Sequence, residues 1–211
     1  MLNVGLTGGI ACGKTTVAQM FVRHGACLID LDKLAQAIVA PQLPAWQEIV
    51  ELFGNNILLV DGSINRNKLA KIVFTDKEKL KKLNNIVHPR VLGEWSKSLG
   101  DIEKKNKKAI VISEVPLLFE ANLQNMVDLS ILVVISPEEQ INRLMTRNGL
   151  TEEEAKKRLE SQLPIEEKIK MADIVIENRG APAETEKIVA KVWKELLIRE
   201  ENKRKNYFGG K

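Results

Sequence analysis

Residues 8–15 read Gly-Gly-Ile-Ala-Cys-Gly-Lys-Thr, a match to GxxxxGK[ST], and no other feature of the chain restricts its fold as much. An apolar segment, residues 3–7, runs into this loop, and the helical pattern Val17, Ala18, Met20 and Phe21 runs out of it. Strand, glycine loop and helix in that order build a cradle for an anion. Glycines let backbone N–H groups curl round it, and the helix N-terminus adds positive potential. The candidate ATP contacts are therefore Gly8, Gly9, Ile10, Ala11, Cys12, Gly13, Lys14, Thr15 and Thr16. Lys14 reaches the β- and γ-phosphates and counts as catalytic; the Thr15 hydroxyl is the candidate ligand of Mg²⁺. The chain contains neither GxGxxG, as a dinucleotide site needs, nor the Asn-Lys-x-Asp of a GTPase.

Further short apolar runs at residues 27–30, 109–113, 129–135 and 173–176 alternate with helical patterns. They lack the polar alternation of a half-exposed strand, so they suit a sheet covered on both faces. The expected fold class is α/β: a P-loop NTPase-type, doubly wound, five-stranded parallel sheet. At 211 residues the chain exceeds that core. Residues 31–108 hold helical patterns and one turn, Asp61-Gly62, where a crossover needs about a dozen residues. This stretch reads as an inserted helical substrate domain. Residues 137–164 read as a polar helical lid, and the core is expected at 1–30, 109–136 and 165–200. Ser136, Thr151 and Thr75 stand three residues before Glu139, Glu154 and Glu78, as helix caps do. The last helix puts Ile188, Val189, Val192, Trp193, Leu196 and Leu197 on one face, which makes Trp193 a core residue; residues 201–211 are expected to fray.

The net charge is +4, from 32 basic and 28 acidic side chains mixed along the chain. With 4% aromatics, neither a nucleic-acid platform nor a stacking surface is expected. The longest apolar run has five residues, 131–135, far short of a membrane span. No basic leader region opens the chain, and two cysteines make no disulfide scaffold. A cytoplasmic protein with a small-molecule partner is expected, and its oligomeric state stays open.

A kinase also needs a group to orient the acceptor hydroxyl and cations to cover the phosphates. Asp30 and Asp32 close the second strand at the sheet edge that carries the loop, and either carboxylate suits the first task. Arg143 and Arg147 lie one helical turn apart in the lid and suit the second, as does Arg158; salt bridges to Glu139, Glu153 or Glu154 are the plainer use of these arginines. Glu114, ending the third strand, is a candidate second metal acid or a partner for Lys14 or a lid arginine. Cys12 stands at a helix N-terminus beside Lys14, a setting that lowers a thiol pKa and predicts oxidant inhibition relieved by ATP. His88-Pro89 reads as a helix boundary, with the histidine structural.

The loop, Ile29-Asp-Leu-Asp32, Asp61-Gly-Ser-Ile-Asn-Arg66, His88-Pro89, Pro116-Leu-Leu-Phe-Glu120, Ser161-Gln162 and Ala172-Asp173 with Asn178 occur in this order. In these motifs the chain resembles the dephospho-CoA kinases over residues 2 to about 197. The resemblance implies ATP-dependent phosphorylation of the ribose 3′-hydroxyl of dephospho-CoA, ending coenzyme A biosynthesis. It implies Asp32 as the catalytic carboxylate, and Arg143 closing on the phosphates. It also implies Asp30, Arg66, His88, Pro116, Leu117, Leu118 and Glu120 on the acceptor side, and Asn178 near the adenine. Leu31 stands where the family often has alanine, and Cys12 and Thr15 where serine is common. The alternatives are another small-molecule kinase, such as a nucleoside monophosphate kinase, and a non-catalytic ATP-binding switch module.

Overall fold

Strands β1 (Leu2–Gly8), β2 (Cys27–Asp30), β3 (Ile110–Glu114), β4 (Leu129–Val134) and β5 (Ile174–Glu177) pair in parallel, in the order β2-β3-β1-β4-β5. The computed structural model describes residues 1–208. Every residue of β1, β3 and β4 is buried, the polar Asn3, Thr7, Ser113, Glu114 and Ser130 included, whereas the edge strands β2 and β5 are partly exposed. Strand order changes direction at β1, and the crevice at such a point is where open α/β sheets bind ligands. The phosphate loop leaves β1 at that edge.

Helices α1 (Lys14–Arg23) and α9 (Pro182–Phe208) pack on each other and on the sheet. Val17, Phe21, Val189, Val192 and Leu196 join Leu6, Ile112 and Ile131 in one core cluster. Trp193 packs against it, with its ring centroid 6.5 Å from Phe21 and 6.2 Å from His24, as a core tryptophan. Ile131, fully buried in the central layer, is the clearest stability test. Ile131→Ala is expected to cost about 2–5 kcal/mol in urea unfolding, through lost burial plus a cavity.

The chain separates into two compact units, Met1–Asp30 with Asp101–Lys211, and Leu31–Gly100. The second holds α2 (Leu31–Ala37), α3 (Pro44–Phe53), α4 (Arg66–Phe74) and most of α5 (Lys77–Lys105). It has its own core of Ile49, Ile57, Ile64, Leu69 and Val73. Asp61 and Gly62 form the expected turn: Gly62 has φ 79, Asp61 accepts two hydrogen bonds from Ser63, and Leu58 bridges Ile64. Those bonds hold the Asp61 carboxyl below its usual range. The unit ends at Gly100 rather than 108, so the last residues of α5, from Asp101 to Lys105, belong to the unit that holds the sheet.

Helices α6 (Pro137–Asn148) and α7 (Glu152–Glu160), in the stretch expected to form a lid, start at the anticipated caps, Ser136 and Thr151, the latter in a full capping box. Helix α8 (Ile165–Met171) follows. Three expectations fail. Thr75 caps the end of α4, its hydroxyl donating to Lys71 O and Ile72 O, while Asp76 accepts from the N–H groups of Glu78 and Lys79. An adjacent carboxylate is the stronger acceptor. Pro89 lies inside α5 instead of bounding it. The Arg90 guanidinium donates to the Ile86 carbonyl at 2.7 Å, covering backbone near the break that proline makes. The tail does not fray at 201: α9 stays helical to Phe208, helped by Lys203 on Asp128 at 2.6 Å and Lys205 on Glu201 at 2.8 Å. Residues 209–211 lie outside the described residues.

Candidate active site

The loop after β1 is shaped by three backbone constraints. Gly13 is the N-cap of α1 at φ 86, a left-handed conformation suited to glycine. A Cβ on Gly9 would sit 2.4 Å from Gln140 Nε2, so that glycine answers a close approach. Ala11, the third, takes φ 59 without being glycine. Lys14 opens α1 and donates to Gly8 O at 3.1 Å, which folds its ammonium back over the loop. Thr15 and Thr16 are exposed in the first turn.

Side chains from distant elements reach the loop. Arg143 donates to Ala11 O at 3.3 Å and pairs with Glu139, one turn earlier on α6. Arg143 thus meets the loop and also makes the ordinary salt bridge. Arg147 does not join it: exposed, it donates to the neighbouring Asn148. Asn178, expected beside the adenine, commits both ends of its amide, Nδ2 donating to Cys12 O and Oδ1 accepting from Thr185 Oγ1, both at 2.9 Å. Gly13 makes room for it, since a Cβ there would lie 2.3 Å from Asn178 Nδ2.

Cys12 overturns the reading of its setting. The side chain is 1% exposed, and burial pushes the thiol up against the smaller opposing pull of Lys14. Loss of hydration disfavours the thiolate more than the lysine favours it. Iodoacetamide at neutral pH is therefore expected to modify Cys27, which is partly exposed, well before Cys12 in the folded chain. Peptide mass mapping reads the order, and Cys12 reacting first would restore the redox reading.

The residues suit Mg²⁺ held mainly by phosphate. Thr15 Oγ1 donates to Glu114 Oε1 at 2.8 Å, with Glu114 buried at the end of β3. The described residues include no cluster of three histidine, cysteine or acidic side chains that would cage a metal alone. A hydroxyl oriented by a carboxylate is the usual protein share of such a site, because Mg²⁺ keeps waters and binds substrate phosphates.

In the helical unit, Asp32 and Arg66 line one cavity of about 260 Å³ with Ala35, Gln36, Val39 and Leu83 among its walls. Asp32 lies in the first turn of α2 and Arg66 opens α4 behind the Asn65 cap. His88 is exposed on α5 and does not line that cavity. Asp30 ends β2 opposite Glu114 on β3. Residues 116–120 divide: Leu117 is exposed and Pro116 accepts from Thr7 Oγ1, whereas Leu118 is fully buried against Gly5. Leu118, expected on the acceptor side, is thus packed into the core beside β1. Glu120 pairs with Lys168, a fully buried side chain of α8.

The dephospho-CoA kinase family model matches residues 2–184. The dephospho-CoA kinase of Syntrophus aciditrophicus is 48% identical over 98% of this chain and 88% of its own length. The chain belongs to the dephospho-CoA kinase family. Among solved structures, the Campylobacter jejuni dephospho-CoA kinase superposes with a TM-score of 0.70 at 33% identity, covering 92% of this chain and 96% of the other. The Thermus thermophilus protein TT1252 gives 0.79 at 35%, covering 92% and 97%.

The buried positions of Gln140 and Lys168 were not legible in the sequence. A glutamine in the first turns of a helix and a lysine in the run 165–171 carry no signal in spacing, since nothing local says that either is buried. Gln162 stood within a recognised motif, but its partner lies 152 residues away.

Proposed function

We propose that this chain transfers the γ-phosphoryl group of ATP to dephospho-CoA, giving coenzyme A and ADP, with the ribose 3′-hydroxyl as acceptor. The observation that carries the reading is the phosphate loop, built with Lys14 folded over it and Arg143 meeting its backbone. Phosphoryl transfer asks the protein mainly for positioning and for charge stabilisation. Lys14 and Arg143 neutralise charge developing on the transferred group. Thr15, oriented by Glu114, would hold Mg²⁺, which supplies further neutralisation on the phosphates when bound.

Asp32 orients the acceptor hydroxyl and accepts its proton as the new P–O bond forms. The cavity it lines with Arg66 supports this, because it combines apolar walls with one carboxylate and one guanidinium. Arg66 suits an anionic group of the acceptor. Among the described residues no helix is long and apolar enough to cross a membrane, which is in keeping with action on a dissolved substrate in the cytoplasm.

The test is ADP release from Mg-ATP with and without dephospho-CoA, with the product weighed. Acceptor-dependent release and a product heavier by one phosphoryl group are expected. Release indifferent to dephospho-CoA but stimulated by a nucleoside monophosphate would overturn the assignment of acceptor.

A further inference from the structure

We propose that Gln140 and Gln162 are positioning residues that clamp the phosphate loop from the two ends of the lid, with Gly9 as the gap that admits the clamp. The proposal rests on reading this loop as the ATP cradle. Ile10 is gripped on both of its backbone polar groups. Its N–H donates to Gln162 Oε1 at 2.8 Å, and its carbonyl accepts from Gln140 Nε2 at 2.7 Å. An amide side chain has two orientations, but here the backbone decides between them: an N–H demands an oxygen and a carbonyl demands an N–H.

The two glutamines sit at opposite ends of the α6–α7 segment. Gln140 lies in the opening turns of α6, and Gln162 follows α7. Both therefore attach the lid to a single loop residue. Gln140 is buried, so an unmet amide there is costly. Gly9 is not among the residues with positive φ, and its backbone alone does not call for glycine. What calls for it is the 2.4 Å that would separate a Cβ from Gln140 Nε2.

The strain next door explains what the clamp is for. Ala11 holds φ 59, a conformation that costs a side-chain-bearing residue and persists where its surroundings over-determine it. The clamp fixes the residue before it, and Arg143 and Asn178 take the carbonyls of Ala11 and Cys12. Three successive carbonyls are thus held by side chains from elsewhere in the fold. Released at Ile10, Ala11 relaxes towards negative φ and the loop's N–H groups lose their common aim. The loop then has to be ordered by ATP itself, and affinity falls.

The polarity of the two bonds supplies a test that general loosening of the fold does not mimic. At neutral pH a glutamate accepts but does not donate. Gln162→Glu keeps the acceptor for Ile10 N–H, while Gln140→Glu sets a carboxylate against Ile10 O. Both add one negative charge beside the same residue, so charge repulsion of ATP is common to them. Calorimetric titration of the full-length chain with Mg-ATP, without acceptor, is expected to show Gln140→Glu weaker than Gln162→Glu by about tenfold. KM for dephospho-CoA is expected to stay within about twofold in both. Gly9→Ala is expected to weaken ATP binding about tenfold alone, and much less when added to Gln140→Ala. Should the Gln140 variants not fold, Gln162→Leu against Gln162→Glu asks the same question: leucine loses the acceptor and should bind ATP the more weakly, despite lacking the added charge. Equal affinities for the paired variants, or additive effects of Gly9→Ala and Gln140→Ala, overturn the clamp. A wild-type chain that does not bind ATP overturns the cradle reading itself, whereas ATP binding without transfer to dephospho-CoA leaves the clamp standing and removes the acceptor.

Discussion

Asp32→Asn is expected to lower kcat by about 10²–10⁴-fold while the Kd for ATP stays within about twofold. The change is nearly isosteric and removes a charge and a proton acceptor without opening a hole. Asparagine serves at a helix start as well as aspartate does, so a role confined to the first turn of α2 would survive the substitution. The measured split therefore separates chemistry from architecture. Steady-state turnover with saturating dephospho-CoA, beside calorimetric ATP binding, reads both quantities. Near-wild-type turnover would assign Asp32 to the helix and leave acceptor activation to another group.

Lys14→Met is expected to reduce kcat/KM for ATP by about three orders of magnitude. A unit charge about 4 Å from another, at an effective dielectric near 20, contributes about 4 kcal/mol, which corresponds to roughly 10³ in rate. Methionine keeps most of the aliphatic stem and removes the ammonium. It also removes the bond to Gly8 O, so circular dichroism and thermal unfolding accompany the kinetics. If KM alone rises and kcat is unchanged, Lys14 contributes uniform binding and does not act on the transition state.

Much of this was legible before the structure because it depends on short-range rules. The spacing of residues 8–15 specifies a phosphate loop whatever surrounds it, and Ser136 and Thr151 cap helices three residues ahead of a glutamate. The five strands were recognisable as short apolar segments alternating with helical patterns, the rhythm of a parallel sheet with helices on its faces. Where a local signal had a competitor, it failed. Thr75 lost the cap of α5 to the carboxylate beside it, and Pro89 was absorbed into a helix long enough to tolerate the break. Charge alone does not mark a frayed tail either, since the basic residues after 200 found acids along and beside α9.

By itself, then, the sequence determined a parallel α/β core, a phosphate loop between its first strand and first helix, a helical unit between the second and third strands, and the family to which the chain belongs. The tertiary structure alone decided which side chains meet that loop. Gln140, Gln162, Arg143 and Asn178 reach Ile10, Ala11 and Cys12 from 130 to 166 residues away. It also decided the chemistry of Cys12, where burial outweighs the lysine and the helix end that are visible in the sequence. The physical reason is the same in both cases. Hydrogen bonding and solvation energies depend on what surrounds a group once the chain has packed, and neighbours in sequence are a small part of those surroundings.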